Sequence, residues 1–114
     1  MNTDYRAKCD PKLVERIDAL LLKIDALCRA ADRSFAGARA DYLSDKWCRI
    51  IVDTSAYAFV ALIDYANKTL GAVKRGDIHR PATWKAPAKH KRGSVWADDF
   101  GNCLGAYGIS YLRG

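Results

Sequence analysis

Between residues 11 and 43 the apolar side chains recur at alternating steps of four and three. Leu13, Ile17, Leu20, Ile24, Leu27 and Ala31 form a heptad stripe, and Val14, Leu21 and Cys28 widen it on one side. The pattern continues through Phe35, Ala38 and Tyr42. Such a period lines one face of a helix. The start of the segment agrees, because Asp10 can cap the first free amides and Pro11 suits a first helical position, where no N–H is needed. The spacing predicts a helix over 11–43, with a break expected near 33–37, where Gly37 costs about 1 kcal/mol in a helix interior. The stripe is short and wider than a coiled-coil seam, which favours packing within the chain over a helical dimer.

Residues 45–70 are apolar on most sides, and Ser44–Asp45 ahead of them reads as a second helix cap. On a helix, Arg49, Asp53, Asp64 and Lys68 fall on one narrow polar strip, with Arg49–Asp53 and Asp64–Lys68 as i,i+4 ion pairs. Two strands, RIIVD and YAFVALI, are the alternative for the same residues. Period-two alternation is missing, however, and no Asn-Gly turn divides them, so a mostly buried central helix over 45–70 is the expectation. A last helix is expected over 95–112, capped by Ser94, with Asp98 and Asp99 near its positive end. Its two faces would be an aromatic stripe (Trp96, Phe100, Cys103, Leu104, Tyr107, Tyr111) and a strip of Ala97, Gly101, Gly105 and Gly108 suited to close helix approach. The resulting fold class is all-α, a three- to four-helix bundle in a single domain, with a long basic loop before the C-terminal helix.

Composition fits such a domain. The chain has 114 residues, half of them apolar and 28% charged, enough to bury a core without metals or disulfides. The N-terminal residues lack the apolar stretch of a secretory signal, so a cytoplasmic location is expected. The longest apolar run, 50–63, is interrupted by Asp53 and is too short to cross a bilayer core of about 30 Å, so no membrane association is expected. Cys9, Cys28, Cys48 and Cys103 lie far apart with no C-x-x-C pair, which points to buried thiols and not to a metal site.

Charge changes the picture most. Residues 74–93, KRGDIHRPATWKAPAKHKRG, hold seven Lys/Arg against one acid, Asp77, a local charge of +6. The whole chain is also +6, so the rest is neutral. This stretch also carries His79, His90, Pro81, Pro87 and Trp84. Cations neutralise phosphates and release counterions, and an aromatic ring can stack on a base. Lys74, Arg75, Arg80, Trp84, Lys85, Lys89, His90, Lys91 and Arg92 are therefore the candidate binding residues, with the two prolines holding the segment extended.

No enzymatic motif accompanies them. Asp53 and Asp64 would stand roughly 16 Å apart along a helix, too far for one ion. Asp98 and Asp99 are explained by a helix start, and Cys103 with His90 lacks a third orienting group. There is no Walker loop, G-x-G-x-x-G or H-E-x-x-H. The sequence points to a non-catalytic protein, without metal or cofactor, that binds DNA or RNA through loop 74–93 or serves as a small helical subunit of a nucleoprotein complex. The alternative is a small inhibitor or adaptor, of the kind phages and other mobile elements encode, docking its basic loop on an acidic protein surface. Homo-oligomerisation through the glycine strip is compatible with either.

Overall fold

The helix begins where the sequence places it. In the computed structural model, which describes residues 5–31, 37–105 and 108–109, the Asp10 carboxylate accepts a hydrogen bond from the Lys12 amide at 2.9 Å. Helix α2 (Pro11–Ala30) follows, after a single turn α1 (Tyr5–Lys8). Leu13, Ile17, Leu20, Ile24 and Cys28 are fully buried along one face of α2, whereas Leu22 on the opposite face is 73% exposed. The helix ends at Ala30 and does not reach 43. Ala38–Tyr42 is a strand, β1. The expected break near 33–37, and Phe35 with it, lies outside the described residues except for Gly37, which has a φ of 130°.

The remainder is β structure, which overturns the all-α bundle. Strands β1, β2 (Trp47–Val52), β3 (Ser55–Ala61), β6 (Asp77–Pro81) and β7 (Pro87–Ser94) form one antiparallel sheet in the order β1-β2-β3-β6-β7. Strands β4 (Tyr65–Asn67) and β5 (Gly71–Val73) pair as a separate hairpin. The helix expected over 45–70 is thus β2, β3 and β4. The physical reason is two-sided burial. Cys48, Ile50, Val52, Ala58 and Val60 share the core cluster of α2, while Trp47, Phe59 and Ala61 share a second cluster with Val73 of β5 and with flanking Tyr65 and Leu70. Strands covered on both faces read as continuous apolar runs, like a buried helix. The turn between β2 and β3 uses Asp53 at φ 59°, a left-handed conformation that Asp tolerates without a neighbouring glycine.

The expected helix over 95–112 is also absent from the described residues. Ser94 does act locally, its hydroxyl accepting from the Trp96 amide at 3.2 Å, but a turn follows. Asp98–Gly101 is a single 3-10 turn in which Asp99 and Phe100 have positive φ. After it, Leu104–Gly105 (β8) and Gly108–Ile109 (β9) pair as a short hairpin. Tyr57, the extra residue of a bulge between β2 and β3, anchors that hairpin by donating to the Gly105 carbonyl at 2.6 Å and accepting from its amide at 3.1 Å. Tyr107 and Tyr111 lie outside the described residues. Gly101 is not part of a packing strip but sits at a tight crossing, where a Cβ would lie 3.0 Å from the Gly93 Cα. No described helix is long and apolar enough to cross a membrane.

Candidate nucleic-acid interface

The basic stretch 74–93 is not a loop. It forms strand β6 and all of strand β7 but Ser94, joined by a five-residue turn that carries Trp84 and Lys85. Strand β6 lies inside the sheet, paired to β3 through Phe59–His79 and Val60–Ile78. Strand β7 is the edge, hydrogen-bonded to β6 on one side. At about 3.3 Å per residue it lays Lys89, His90, Lys91 and Arg92 along one border of the sheet. Lys89, His90 and Lys91 are exposed and Arg92 is half-buried. Lys85 and Trp84 extend this border at the turn, where Trp84 is 42% exposed.

The other three cations are placed differently. Lys74 is exposed beyond β5, where its amide donates to the Asp77 carboxylate at 2.9 Å. Arg75 works as a structural clamp. Its amide donates to Asp64 at 2.6 Å, its guanidinium pairs with Asp10 at 3.3 Å, and its plane lies 5.6 Å from the Trp96 ring centroid. The Trp96 indole N–H in turn donates to the Arg75 carbonyl at 2.8 Å. This clamp borders a cavity of about 510 Å³ between the start of α2 and the segment after β3. Arg80 is half-buried and lines a recess of about 120 Å³ with Val52, Tyr57 and Ile109. The border therefore consists of Trp84, Lys85, Lys89, His90, Lys91 and Arg92.

One residue that the sequence did not mark organises it. Arg49 lies on β2, two strands away from β6, and its side chain is only 11% exposed. Its guanidinium stacks 3.9 Å from the Trp84 ring centroid, donates to the Trp84 carbonyl at 3.0 Å and pairs with Asp41 at 3.0 Å. The expected helical pair with Asp53 does not exist. The β6–β7 turn thus folds back across the sheet, and the indole rests one face on a cation that Asp41 holds in place. Beside Trp84, Thr54 of the β2–β3 turn, Ser55 and Ala56 at the start of β3, and Pro81, Ala82 and Thr83 line a recess of about 330 Å³.

Register sets the electrostatics beneath the border. Asp41, Arg49, Phe59, His79 and Lys91 are successive cross-strand partners in one row across the sheet. His79 is 2% exposed, and its ring packs edge-on against Trp47 with centroids 5.1 Å apart. The Ala88 carbonyl lies 2.8 Å from Nδ1; a carbonyl can only accept, so Nδ1 carries the proton. The other ring nitrogen is buried without a hydrogen-bond partner. Burial holds the imidazole pKa below its usual value, outweighing the Ala88 hydrogen bond and the nearby Asp77, which favour the cation. Asp77, also buried, lies 3.7 Å from the Lys91 ammonium. His79 is therefore a neutral core residue, and His90 is the histidine on the border.

The reactive residue types do not converge. All four cysteines are thiols. Cys103 donates to the Phe100 carbonyl at 3.3 Å, and burial pushes its pKa up to about 11, the reverse of an activated nucleophile. Asp99 pairs with Lys23 at 3.5 Å. Among the described residues no three His, Cys, Asp or Glu side chains cluster as a metal site. No family model matches the chain, and no curated protein and no solved structure matches it.

Proposed function

We propose that the protein binds nucleic acid along the β7 border, with Lys85, Lys89, Lys91 and Arg92 on phosphates, acting in the cytoplasm, where its four thiols stay reduced. The observation that carries this reading is the placement of Lys85, Lys89, Lys91 and Arg92, four of the seven cations in the segment that holds the chain's excess charge, on one sheet border that ends in a fixed, half-exposed tryptophan. No catalytic step is part of it; the protein serves as a binding module or as a small subunit of a nucleoprotein complex. Four phosphate contacts give a slope of log K against log salt of about −3.6 on duplex DNA and about −2.8 on single strands. Fluorescence anisotropy of labelled oligonucleotides across a salt series measures that slope. Replacing Lys85, Lys89, Lys91 and Arg92 together by Ala is expected to weaken binding and flatten the slope. Unchanged affinity in that variant refutes the reading.

A second reading is favoured by the position of β7. Among the described residues no strand pairs with its outer side, so an extended acidic segment of a partner protein could add there as a sixth strand, its carboxylates against Lys89 and Lys91. On this reading labelled oligonucleotides bind the protein only weakly, and it associates stably only with its protein target.

A further inference from the structure

We infer that the recess beside Trp84 is a subsite for one unpaired nucleobase, stacked on the outer face of the indole, and that the preferred ligand of the border is single-stranded. The inference rests on the nucleic-acid reading above and narrows it. Three features of the β6–β7 turn carry it.

The first is that only one indole face is open to a ligand. Arg49 covers the inner face at 3.9 Å, and the ring as a whole remains 42% exposed. An aromatic surface held this way presents its area at little further entropic cost when a planar group lands on it. The second is size. A recess of about 330 Å³ is at the small end of ligand sites and suits a single base with its sugar, while a duplex keeps its bases stacked and out of reach. Thr54, Ser55 and Thr83 line it beside the ring, residue types that can hydrogen-bond the polar edges of any base. Lys85 follows at once, exposed and with its amide donating to the Thr83 hydroxyl at 3.1 Å, so the residue after the ring supplies a cation for the nucleotide's phosphate.

The third is the integration of the hairpin into the sheet. A two-stranded ribbon can read a duplex by entering the major groove, but β6 is paired to β3 on its other side. The hairpin therefore cannot project as a wedge. What it offers is a track, with β7 for the backbone and Trp84 at its end for a base, which is the arrangement of sequence-tolerant single-strand binding.

The test uses three probes with the full chain: a labelled single-stranded oligothymidylate of twelve nucleotides, the same strand made of abasic sites, and a twelve-base-pair duplex. The expected result is that the oligothymidylate binds more tightly than either other probe and quenches tryptophan fluorescence. Trp84→Ala is expected to weaken it about 5- to 150-fold, the loss that corresponds to one stacked base, with the salt slope unchanged, while Trp84→Phe retains most of the affinity. The abasic strand needs no variant and guards against a folding defect in Trp84→Ala. If the oligothymidylate and abasic strands bind equally, or the duplex binds best, while the quadruple Ala variant still loses affinity, the base subsite is wrong and the border reading stands. If the wild-type protein binds none of the three probes at 50 mM salt, both fall.

Discussion

Arg49 is the residue on which the geometry of the border depends, and its replacement is the sharpest test of that geometry. Arg49→Met keeps the aliphatic stem against the sheet but removes the guanidinium. Three contacts are lost. The hydrogen bond to the Trp84 carbonyl is open to water and contributes about 0.5–1 kcal/mol. Stacking on the indole contributes about 1 kcal/mol, and the pair with half-exposed Asp41 less than about 1 kcal/mol. Water can reach both Asp41 and the Trp84 carbonyl once Arg49 is gone, so no buried acceptor is orphaned. The expected net loss is about 1–2 kcal/mol, or about 4–8 °C in Tm for a chain of this size. Stability alone does not locate the loss, so urea denaturation of Arg49→Met, Trp84→Ala and the double variant closes a thermodynamic cycle. A coupling of about 1–2 kcal/mol is expected. Arg49→Lys should behave like Arg49→Met, because an ammonium cannot stack and bond in two directions at once. A coupling below about 0.3 kcal/mol, the scatter of independent sites, would refute the claim that the turn is pinned across the sheet.

Two further outcomes follow from the packing. A Cβ on Gly93 would lie 2.2 Å from the Phe100 carbonyl oxygen and 2.7 Å from the Cys103 sulfur, so Gly93→Ala should cost about 3 kcal/mol and lower Tm by more than about 10 °C; a Tm within about 2 °C of the wild type would mean that β7 does not lie against the 3-10 turn. His79 is held neutral by burial, so its folded pKa lies below the unfolded value of about 6.5. The unfolded chain then binds the extra proton first, and the contribution is present above pH 6.5 and lost as pH falls below it, with a slope limited to about 1.4 kcal/mol per pH unit. His79→Leu should flatten urea-derived stability between pH 7 and 5, and an unaltered pH dependence in that variant would show that His79 is not the group responsible.

The legible parts of the fold were those fixed by neighbours in sequence. Asp10, Pro11 and the stripe from Leu13 to Ile24 define α2 through contacts within a few residues and do what the spacing implies, whereas in the last turn Cys28 takes the buried place expected of Leu27, and Ala31 is exposed. The end of α2 was hidden by a coincidence of periods. Ala38 and Tyr42 are one helical step apart, but Ala40 between them also packs against the core, which is the period of a strand. Ser44 and Ser94 misled for a related reason. The Ser44 hydroxyl accepts from the Lys46 amide at 3.1 Å and that of Ser94 from the Trp96 amide, the same bond to the second residue on that a helix cap makes and a turn also uses. Local chemistry therefore marks such a boundary without saying which element follows. The candidate site divides in the same way. Its cations are a property of composition and were visible, whereas the Arg49–Trp84 contact joins residues 35 apart and depends on the order of strands.

That contact also bears on two explanations of the border. Lysines on an edge strand keep it from pairing with the edge of another sheet, and the exposed charges of β7 satisfy that need with no ligand at all. This explanation accounts for Lys89 and Lys91. It leaves the turn unexplained, because edge protection requires neither an exposed indole nor a mostly buried arginine committed to holding it. A half-exposed tryptophan is the reverse of a device against association, since it adds apolar surface at the rim. Fixing it with Arg49 and Asp41 spends a cation and an acid from the sheet on one side chain that stays half-exposed. A planar ligand on that ring would give the arrangement a use, and the neighbouring cations, whatever else they prevent, supply the charge opposite to that of a nucleotide's phosphate.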